Sequence, residues 1–572
     1  MPLVAIPQTL DSMNRSEKSI FKRLQLLYLA QSPISYLYLE PQITNLFPDF
    51  ILIDPSRGVL IIEVKGWSID YIKEINNKSV ITKNNEELIN PTYRARQYFN
   101  ALQNILKNAP STLVDKNNNL DINLQAVVIF TDITQNEASS TQIDRFLDHY
   151  PVRVIYKDEF NKSTIDTLFN NKIKPLPPKS INIIRATIFP ELKIKSQSTS
   201  NIAVLDIEQE RFAKSLPLGH YMITGIPGSG KSVTLVARAI YLAKKFREWK
   251  ILIVTYNKLL KNQLSLQIEK IKNELKDRGV IIDNIEVATF HQKALEFSSI
   301  TPSPTEARDS DFWRYTLPKE ALKNGYEAYD AILVDEYQDF YKDWLKFLLK
   351  ILKPHKDKNN KLLKNIFLAG DRLQSIYNPS EINWKRDIGL DMRGRSKLLK
   401  TSYRVTKEHI QLGLNILKND PKYKEEVEKF YPKEETLLLV NSSKEPLKLI
   451  EGDEIKVINQ IKELLETYSF KDILLIAPTW ARINELKVLF PSNLQYHINS
   501  SKDTLSNSQI TFTTYYSAKG IEAKVAIVID IEKIEDRKLF YVAVTRASSK
   551  LILHSKSFNS TQIGKEILEA VN

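Results

Sequence analysis

The chain has 572 residues, of which 42% are hydrophobic and 26% charged, and it contains no cysteine. The length favours several domains, and the absence of cysteine excludes disulfides, thiolate metal sites and a cysteine nucleophile. Lys and Arg number 81 against 68 Asp and Glu, a net charge of +13 that favours a polyanionic partner but is also compatible with solubility alone. No apolar run is long enough for a membrane span and the first residues do not resemble a secretory signal, so we expect a cytoplasmic protein with no membrane association.

The first informative segment is PDFILIDPSRGVLIIEVKGW at residues 48–67. It predicts two strands joined by a Pro/Gly turn, with Asp49 on the first strand and Glu63 and Lys65 on one face of the second. Two carboxylates can bind Mg²⁺, and a neighbouring lysine can hold or activate water for phosphodiester cleavage. The alternative is an exposed strand in which Glu and Lys alternate without a catalytic role.

Pro, Ser, Asn and Lys are concentrated between residues 171 and 201, a composition typical of an interdomain linker. We therefore predict a first domain at 1–175, a linker at 176–200, and further domains at 201–385 and 386–572.

After residue 201, short apolar runs alternate with helical patterns, which predicts α/β architecture with enough strands for two parallel sheets. The predicted strands are HYMITG at 220–225, ILIVT at 251–255, AILVD at 331–335, IFLAG at 366–370, ILLIAP at 473–478 and VAIVID at 525–530.

The sequence GIPGSGKS at 225–232 follows the first of these strands and precedes a helical pattern. Gly225, Gly228 and Gly230 let backbone N–H groups surround phosphate oxygens, Lys231 reaches the terminal phosphates, and Ser232 offers a hydroxyl to Mg²⁺. A Gly-rich turn without a ligand is the alternative interpretation.

Further along, AILVDEYQD places Asp335 and Glu336 at a strand end, where one carboxylate can hold the metal and the next can orient or deprotonate water. Together the two motifs predict ATP hydrolysis.

Residues 205–554 resemble a superfamily 1 helicase of the UvrD/Rep type. The resemblance rests on motifs in that family's order: Gln209, GIPGSGKS, TYNK at 255–258, TFH at 289–291, DEYQD at 335–339, GDRLQSIY at 370–377, SYR at 402–404, TYYSAKGIE at 514–522 and YVAVTRA at 541–547. It implies two RecA-like lobes, with parallel sheets flanked by helices.

The resemblance also implies residue roles. For the nucleotide these are adenine recognition by Gln209, base stacking by Tyr403, γ-phosphate sensing by Gln374, ribose contact by Glu522, and arginine fingers at Arg404 and Arg546. For single-stranded nucleic acid they are base or backbone contacts by Tyr256, Phe290, His291 and Tyr377. Tyr256 and Phe290 can instead be core aromatics. Two positions depart from the family pattern, since Tyr516 stands where the family usually has His, and Trp384 is the nearest candidate for the Trp that normally follows the SIY motif.

Residues 10–170 resemble the nuclease-related (NERD) domain of the PD-(D/E)XK group, which implies a restriction-endonuclease-like α/β nuclease domain. By this resemblance Glu17 and Gln97 would complete the site of Asp49, Glu63 and Lys65. For Glu17, an ordinary amphipathic helix with a solvated glutamate is the alternative.

These patterns predict an ATP-driven, Mg²⁺-dependent nuclease–helicase that acts on single-stranded or partly duplex DNA. A second hypothesis keeps the motor but makes the first domain a binding module, and a third is an ATP-switched scaffold that acts on protein. The helicase resemblance implies 3′→5′ movement and a role in DNA repair or defence against phage, with RNA also open as a substrate. A protein partner or a homo-oligomer is also compatible with the sequence.

Overall fold

The computed structural model describes residues 3–7, 13–31, 33–109, 113–194, 203–357, 359–377, 382–430, 438–439, 443, 446–500 and 508–571. The chain divides into two compact units. Unit 1 comprises residues 1–217 and 270–283, and unit 2 comprises 218–269 and 284–572. Within the described ranges, no helix combines the length and the apolar character that crossing a membrane requires.

Unit 1 is built on a mixed sheet in the order β1-β2-β3-β4-β8-β9. Strands β2, β3 and β4 pair antiparallel, whereas β4, β8 and β9 pair in parallel. A smaller antiparallel sheet, β5-β6-β7, lies between β4 and the next helix in sequence. The strands of unit 1 are β1 Leu3–Ile6, β2 Ser35–Leu39, β3 Phe50–Asp54, β4 Gly58–Lys65, β5 Ile72–Ile75, β6 Ser79–Thr82, β7 Glu87–Ile89, β8 Leu124–Phe130, β9 Val152–Ile155, β10 Lys193–Ile194 and β11 Ala203–Val204.

The helices of unit 1 cover this sheet with apolar faces. Helix α1 buries Ile20, Phe21 and Leu24 against the sheet core, and its capping box at Asn14 fixes where the helix begins. The helices are α1 Arg15–Leu27, α2 Pro91–Lys107, α3 Gln135–Ser140, α4 Lys157–Lys162, α5 Ile165–Leu168, α6 Pro178–Ile188 and α7 Ile207–Lys214. Sequence analysis assigns residues 176–200 to a linker, but the structure places α6 and β10 there. Residues 195–200 lie outside the described residues.

The first half of unit 2 contains a sheet in the order β14-β13-β15-β17-β12-β18, whose neighbours on this path all pair in parallel. Because the strands are parallel, the segments that follow them meet at one edge of the sheet. The elements are β12 His220–Gly225, α8 Lys231–Lys245, β13 Ile251–Thr255, α9 Lys258–Lys276, β14 Ile285–Thr289, α10 Phe290–Ser298, α11 Leu317–Asn324, β15 Ala331–Asp335, α12 Lys342–Lys350, β16 Pro354–Lys356, β17 Leu362–Gly370 and β18 Ser396–Leu399. Residues 270–276 of α9 belong to unit 1.

The second half of unit 2 contains another parallel sheet, in the order β21-β26-β25-β22-β24-β23. Buried apolar residues fill both faces, as expected for a parallel sheet covered by helices. The elements are β19 Thr401–Ser402, α13 Lys407–Lys418, α14 Pro421–Phe430, β20 Leu438–Leu439, β21 Leu447–Glu451, α15 Ile455–Leu464, β22 Ile473–Ala477, α16 Trp480–Leu489, α17 Ser492–Gln495, β23 Ile498–Asn499, β24 Ile510–Thr514, β25 Ala523–Val528, α18 Arg537–Val544, β26 Ala547–Ser555 and α19 Gln562–Val571. The predicted fold class, α/β with two parallel sheets preceded by a further α/β domain, is confirmed.

Candidate nucleotide and nuclease sites

The phosphate-binding motif forms the loop between β12 and α8. Gly228 has φ +71°, and a Cβ there would lie 2.9 Å from the Ser402 hydroxyl oxygen, so this position requires glycine. Gly230 also has positive φ, and Lys231 begins α8. The Lys231 ammonium donates to the carbonyl oxygens of Gly225 and Ile226, at 2.9 and 3.0 Å.

Lys231 is buried, and this burial lowers the pKa of its ammonium although Asp371, Glu336 and Asp335 oppose the effect. The hydrogen bonds of this buried ammonium go to two neutral backbone carbonyls, so an anionic ligand would stabilise its charge. The loop therefore suits a polyphosphate.

Asp335 ends β15 at the same edge of the sheet and is buried. Burial and the neighbouring Glu336 raise the pKa of Asp335 to about 7, while a hydrogen bond from the Ser232 side chain lowers it. The second carboxylate oxygen, Oδ2, is buried and has no hydrogen-bond partner. A hydroxyl and a carboxylate with an unpartnered oxygen fit a hard cation such as Mg²⁺, which Ser232 and Asp335 would hold.

Glu336 follows in the left-handed backbone region, with φ 55°, and its carboxylate accepts a hydrogen bond from the Gln338 amide. Burial opposes ionisation of Glu336, but Lys519 and Lys231 outweigh it and lower its pKa. An ionised carboxylate next to the metal-binding Asp335 can orient water or accept its proton.

Gln374 connects the two halves of unit 2. Its amide nitrogen donates to Asp371 Oδ2 at 2.9 Å, and its amide oxygen accepts from Arg546 Nη2 at 2.9 Å. The Lys519 ammonium donates to the Gln374 carbonyl at 2.6 Å and to both Asp339 carboxylate oxygens, at 2.9 and 2.8 Å. Arg546 is thereby held at the edge of the first sheet. Lys519 and Asp371 lie in the motifs TYYSAKGIE and GDRLQSIY, but the sequence alone predicts no role for them.

The SYR segment lies against the phosphate-binding loop. The Ser402 hydroxyl donates to the Pro227 carbonyl at 3.0 Å, and the Tyr403 backbone N–H donates to the Gly228 carbonyl at 3.1 Å. Arg404 forms an ion pair with Glu522. The residues expected to act as an arginine finger and as the ribose contact therefore pair with each other in this structure.

Gln209 belongs to unit 1. It lies on α7, where its side chain accepts from the Asp206 backbone N–H at 3.0 Å and Asp206 accepts from the Gln209 N–H at 2.8 Å. The residue expected to read adenine thus takes part in the capping box that begins its own helix.

The predicted nucleic-acid residues of unit 2 surround a tryptophan that sequence analysis did not identify. The ring of Tyr256 lies 5.8 Å from Trp344, 5.8 Å from His291 and 4.8 Å from Tyr377. The Tyr377 hydroxyl donates to the Tyr516 carbonyl at 2.7 Å and so joins the two halves of the unit, and Tyr516 is exposed. Trp344 is buried and aromatic residues on helices are typical of cores, so no sequence signal distinguished it.

Phe290 differs from the prediction of a nucleic-acid contact. Its ring is fully buried and stacks on Trp344 at 4.1 Å. It therefore belongs to the core, the alternative interpretation given for it in the sequence analysis, and the predicted nucleic-acid contact is wrong for this residue. His291, the next residue, is only partly buried, and burial lowers its pKa to about 4, so it is neutral near pH 7.

In unit 1, Asp49, Glu63 and Lys65 come together as predicted. The Lys65 ammonium donates to Glu63 Oε1 at 2.6 Å, and Asp49 Oδ2 accepts from the Val64 backbone N–H at 2.6 Å. Burial and Glu63 raise the pKa of Asp49 to about 7. Burial opposes the charge on Lys65, but Glu63 and Asp49 outweigh it and raise its pKa.

The two residues expected to complete this site have local partners. Glu17 accepts from the Asn14 backbone N–H at 3.1 Å, and burial raises its pKa with a smaller contribution from Glu40. Gln97 accepts from Arg94 at 3.4 Å. Tyr98, which sequence analysis did not identify, is buried near Glu63, and burial and Glu63 raise its pKa.

Glu63 Oε2 is buried without a hydrogen-bond partner, which leaves an acceptor for a cation beside Asp49. Among the residues that the structure describes, no group of three or more Asp, Glu, His or Cys side chains is arranged to hold a metal. Mg²⁺ usually takes one or two carboxylates and completes its shell with water and substrate phosphate, so two carboxylates suffice. Asp49 and Glu63 would hold the ion, which would polarise a phosphate and supply a water-derived nucleophile.

Two family models match the sequence. Residues 13–131 match the nuclease-related domain, and residues 209–379 match the AAA domain. No curated protein matches the sequence. Among solved structures, an arterivirus nonstructural protein 10 helicase is 13% identical, with a TM-score of 0.31 over 61% of each chain. A DNA complex of an arterivirus nonstructural protein 10 helicase is 14% identical, with a TM-score of 0.30 over 61% of this chain and 63% of the other. The chain therefore spans less than two thirds of the length of these structures.

Proposed function

We propose that unit 2 is an ATP-driven motor that moves along single-stranded DNA. The observation that carries this proposal is the meeting of Lys231, Asp335 and Gln374 at one sheet edge, with Arg546 reaching Gln374 from the second sheet. A guanidinium from a second lobe neutralises charge on a transferring phosphoryl group, so hydrolysis is coupled to the position of that lobe. The match of residues 209–379 to the AAA domain supports nucleotide use.

In this mechanism Lys231 would bind the terminal phosphates, and Ser232 and Asp335 would hold Mg²⁺. Glu336 would orient the attacking water and accept its proton, since its carboxylate is held ionised by Lys519 and Lys231. Arg546 would stabilise the charge that develops on the phosphoryl oxygens.

The test is DNA-stimulated ATP hydrolysis by the wild type and Lys231→Ala. The substitution should abolish turnover because the phosphates lose their buried ammonium. Lys245→Ala, an exposed lysine at the other end of the same helix, is the matched control and should retain full activity. Equal turnover in Lys231→Ala and the wild type, or hydrolysis indifferent to DNA, would contradict the motor.

We also propose that unit 1 is a Mg²⁺-dependent nuclease. The buried Glu63 oxygen without a partner, the raised pKa of Asp49 and the Lys65–Glu63 contact support a metal-assisted attack of water on a phosphodiester. Lys65 would hold the attacking water or the phosphate.

Cleavage of a labelled, partly single-stranded DNA tests this assignment, with Mg²⁺ and with or without ATP. Asp49→Ala and Glu63→Gln should remove cleavage and leave ATP hydrolysis intact, whereas Glu74→Gln, an exposed glutamate on β5, should cleave normally. Cleavage in Lys231→Ala shows whether ATP controls the nuclease. If no protein cleaves while DNA-stimulated hydrolysis persists, unit 1 is a binding module.

The finer features of this proposal follow from the resemblance to UvrD/Rep helicases: DNA as the substrate, 3′→5′ movement, and a role in DNA repair or defence against phage. Displacement of a labelled strand from duplexes with a 3′ or a 5′ single-stranded extension tests the direction. RNA versions of the same substrates test the choice of nucleic acid.

A further inference from the structure

The chain leaves the main sheet of unit 1 directly after Lys65. At Gly66 the Ser16 hydroxyl of α1 occupies the space that a Cβ would fill, so the backbone passes close to the start of that helix. The next residue is Trp67. A large aromatic side chain is therefore fixed two residues from Lys65 and four from Glu63.

The Trp67 ring faces three groups. Its centroid lies 5.8 Å from the Tyr71 ring and 6.3 Å from the Phe130 ring, and the Lys65 ammonium lies 6.0 Å from it. That same ammonium lies 2.6 Å from Glu63 Oε1. One cation thus contacts both the candidate catalytic carboxylate and the tryptophan face.

Tyr71 is held in place by its backbone. It ends a 3₁₀ turn, Ile69–Tyr71, in which its N–H donates to the Ser68 carbonyl at 3.0 Å. Its carbonyl accepts from the Lys83 N–H, also at 3.0 Å. These two hydrogen bonds fix the backbone from which the second ring projects.

The exposure of these three rings shows which of them belong to the surface and which belongs to the core. Phe130 is 1% exposed and supports one side of Trp67, whereas Trp67 and Tyr71 are only partly buried. Core packing would explain Phe130 but leaves two adjacent aromatic rings in contact with solvent beside the Lys65 ammonium. Partly exposed rings of this kind next to a cationic group are typical of base-stacking sites for single-stranded nucleic acid.

We propose that Trp67 and Tyr71 form a stacking platform for an unpaired base of the nucleotide whose phosphate reaches Lys65. The proposal rests on the nuclease function proposed above and specifies its substrate. A base within a duplex is already stacked and paired, so only a single-stranded end, flap or gap can place a base on these rings without first unpairing it.

Fluorescence tests the platform without cleavage. Trp67 is the only tryptophan in residues 1–217 and 270–283, and the other five of the chain lie elsewhere. The difference in emission between full-length Glu63→Gln and Glu63→Gln/Trp67→Phe therefore isolates Trp67. A single-stranded oligonucleotide should quench this difference signal and a blunt duplex should not. An unchanged signal with the single strand, or equal quenching by the duplex, would overturn the platform.

Cleavage provides the second readout. Trp67→Ala should slow cleavage of a single strand by roughly 5- to 100-fold, the range expected for one lost stacking contact, and Trp67→Phe should recover most of it. Tyr150→Ala, an exposed aromatic residue in the same unit, is the matched control and should cleave normally. A series of wild-type substrates, each with one abasic site, should contain one position that reproduces the Trp67→Ala defect. If no position does, stacking is excluded.

The two proposals can fail separately. Quenching of Trp67 without cleavage of any substrate would contradict the nuclease and support the platform. Equal cleavage of single strands and blunt duplexes by the wild type and Trp67→Ala would support the nuclease and contradict the platform.

Discussion

The side chain of Gln374 shows how one amide can serve two partners in a nucleotide site. Its nitrogen donates to Asp371 and its oxygen accepts from Arg546, so the amide orientation is fixed by both. A γ-phosphate near this amide would compete for the same guanidinium, which gives Gln374 a physical route to sensing nucleotide state.

Arg546→Ala should separate nucleotide binding from turnover. Lys231 and the phosphate-binding loop remain, so affinity for ATP should change little, while turnover should fall by about 10³- to 10⁵-fold because the arginine acts on charge that develops during transfer. Nucleotide binding by calorimetry and steady-state ATP hydrolysis measure the two effects. Arg393→Ala, an exposed arginine of the same unit, is the control. A large loss of affinity with unchanged turnover would contradict the assignment.

The contribution of Asp339 to the stability of unit 2 should fall as pH rises. Burial raises the pKa of Asp339 to about 6, with Glu336 adding to the effect and Lys519 opposing it. Between about pH 4 and pH 6 the native carboxyl keeps a proton that the unfolded chain has released, so stability from this group falls as pH rises. Relative to the wild type, Asp339→Asn should gain about 2 kcal/mol in free energy of unfolding from pH 4 to pH 7. Urea unfolding of both proteins across this range measures the difference, and a pH-independent difference would refute the prediction.

For single residues, the sequence predicts placement best where the local backbone determines it. The loop glycines and Lys231 lie between a strand and a helix, and Asp335 ends a strand, as the motifs predict. The sequence was insufficient for Phe290, because burial depends on which helix covers the ring. The Arg404–Glu522 pair, between two expected nucleotide contacts, also required the three-dimensional structure.

Among the elements, α7 combines a nucleotide motif with a buried polar anchor. Within unit 1, Glu210 on this helix accepts from Arg185 of α6 at 2.6 Å and from Lys214 at 3.1 Å, and Arg185 also donates to the Leu205 carbonyl at 3.0 Å. All three charged side chains are buried. The helix that carries Gln209 is therefore fixed to unit 1 by a charge cluster with little access to water.

Removing one member of this cluster should leave a buried charge without compensation. Glu210→Ala should destabilise unit 1 by about 3–5 kcal/mol, whereas Glu208→Ala, exposed on the same helix, should change stability by less than about 0.5 kcal/mol. Urea unfolding followed by Trp67 emission, taken as the difference from the matching Trp67→Phe protein, measures both. Equal stability of the two variants would show that the cluster contributes nothing to the fold.

Amino-acid composition alone does not predict α6, which lies within the predicted linker at 176–200. Prolines break helices in their interior but are tolerated in the first turn, and Pro178 stands at the start of α6.

Strand prediction was more successful, because continuous apolar runs in parallel sheets have few alternatives. All six strands predicted after residue 201 are present in the structure. The sequence does not predict short strands such as β18 and β23. Each combines polar and apolar residues, and its pairing depends on the neighbouring strands.

For the whole molecule, the division into two units predicts two unfolding transitions, which a nucleotide can distinguish. A non-hydrolysable ATP analogue at 100 times its Kd stabilises the unit that binds it by about 2.7 kcal/mol. Unit 2, which holds Lys231, should shift, and Lys231→Ala should remove the shift. Urea unfolding with and without the analogue measures this shift. A unit 2 transition that does not respond to the analogue in the wild type would contradict nucleotide binding by this unit.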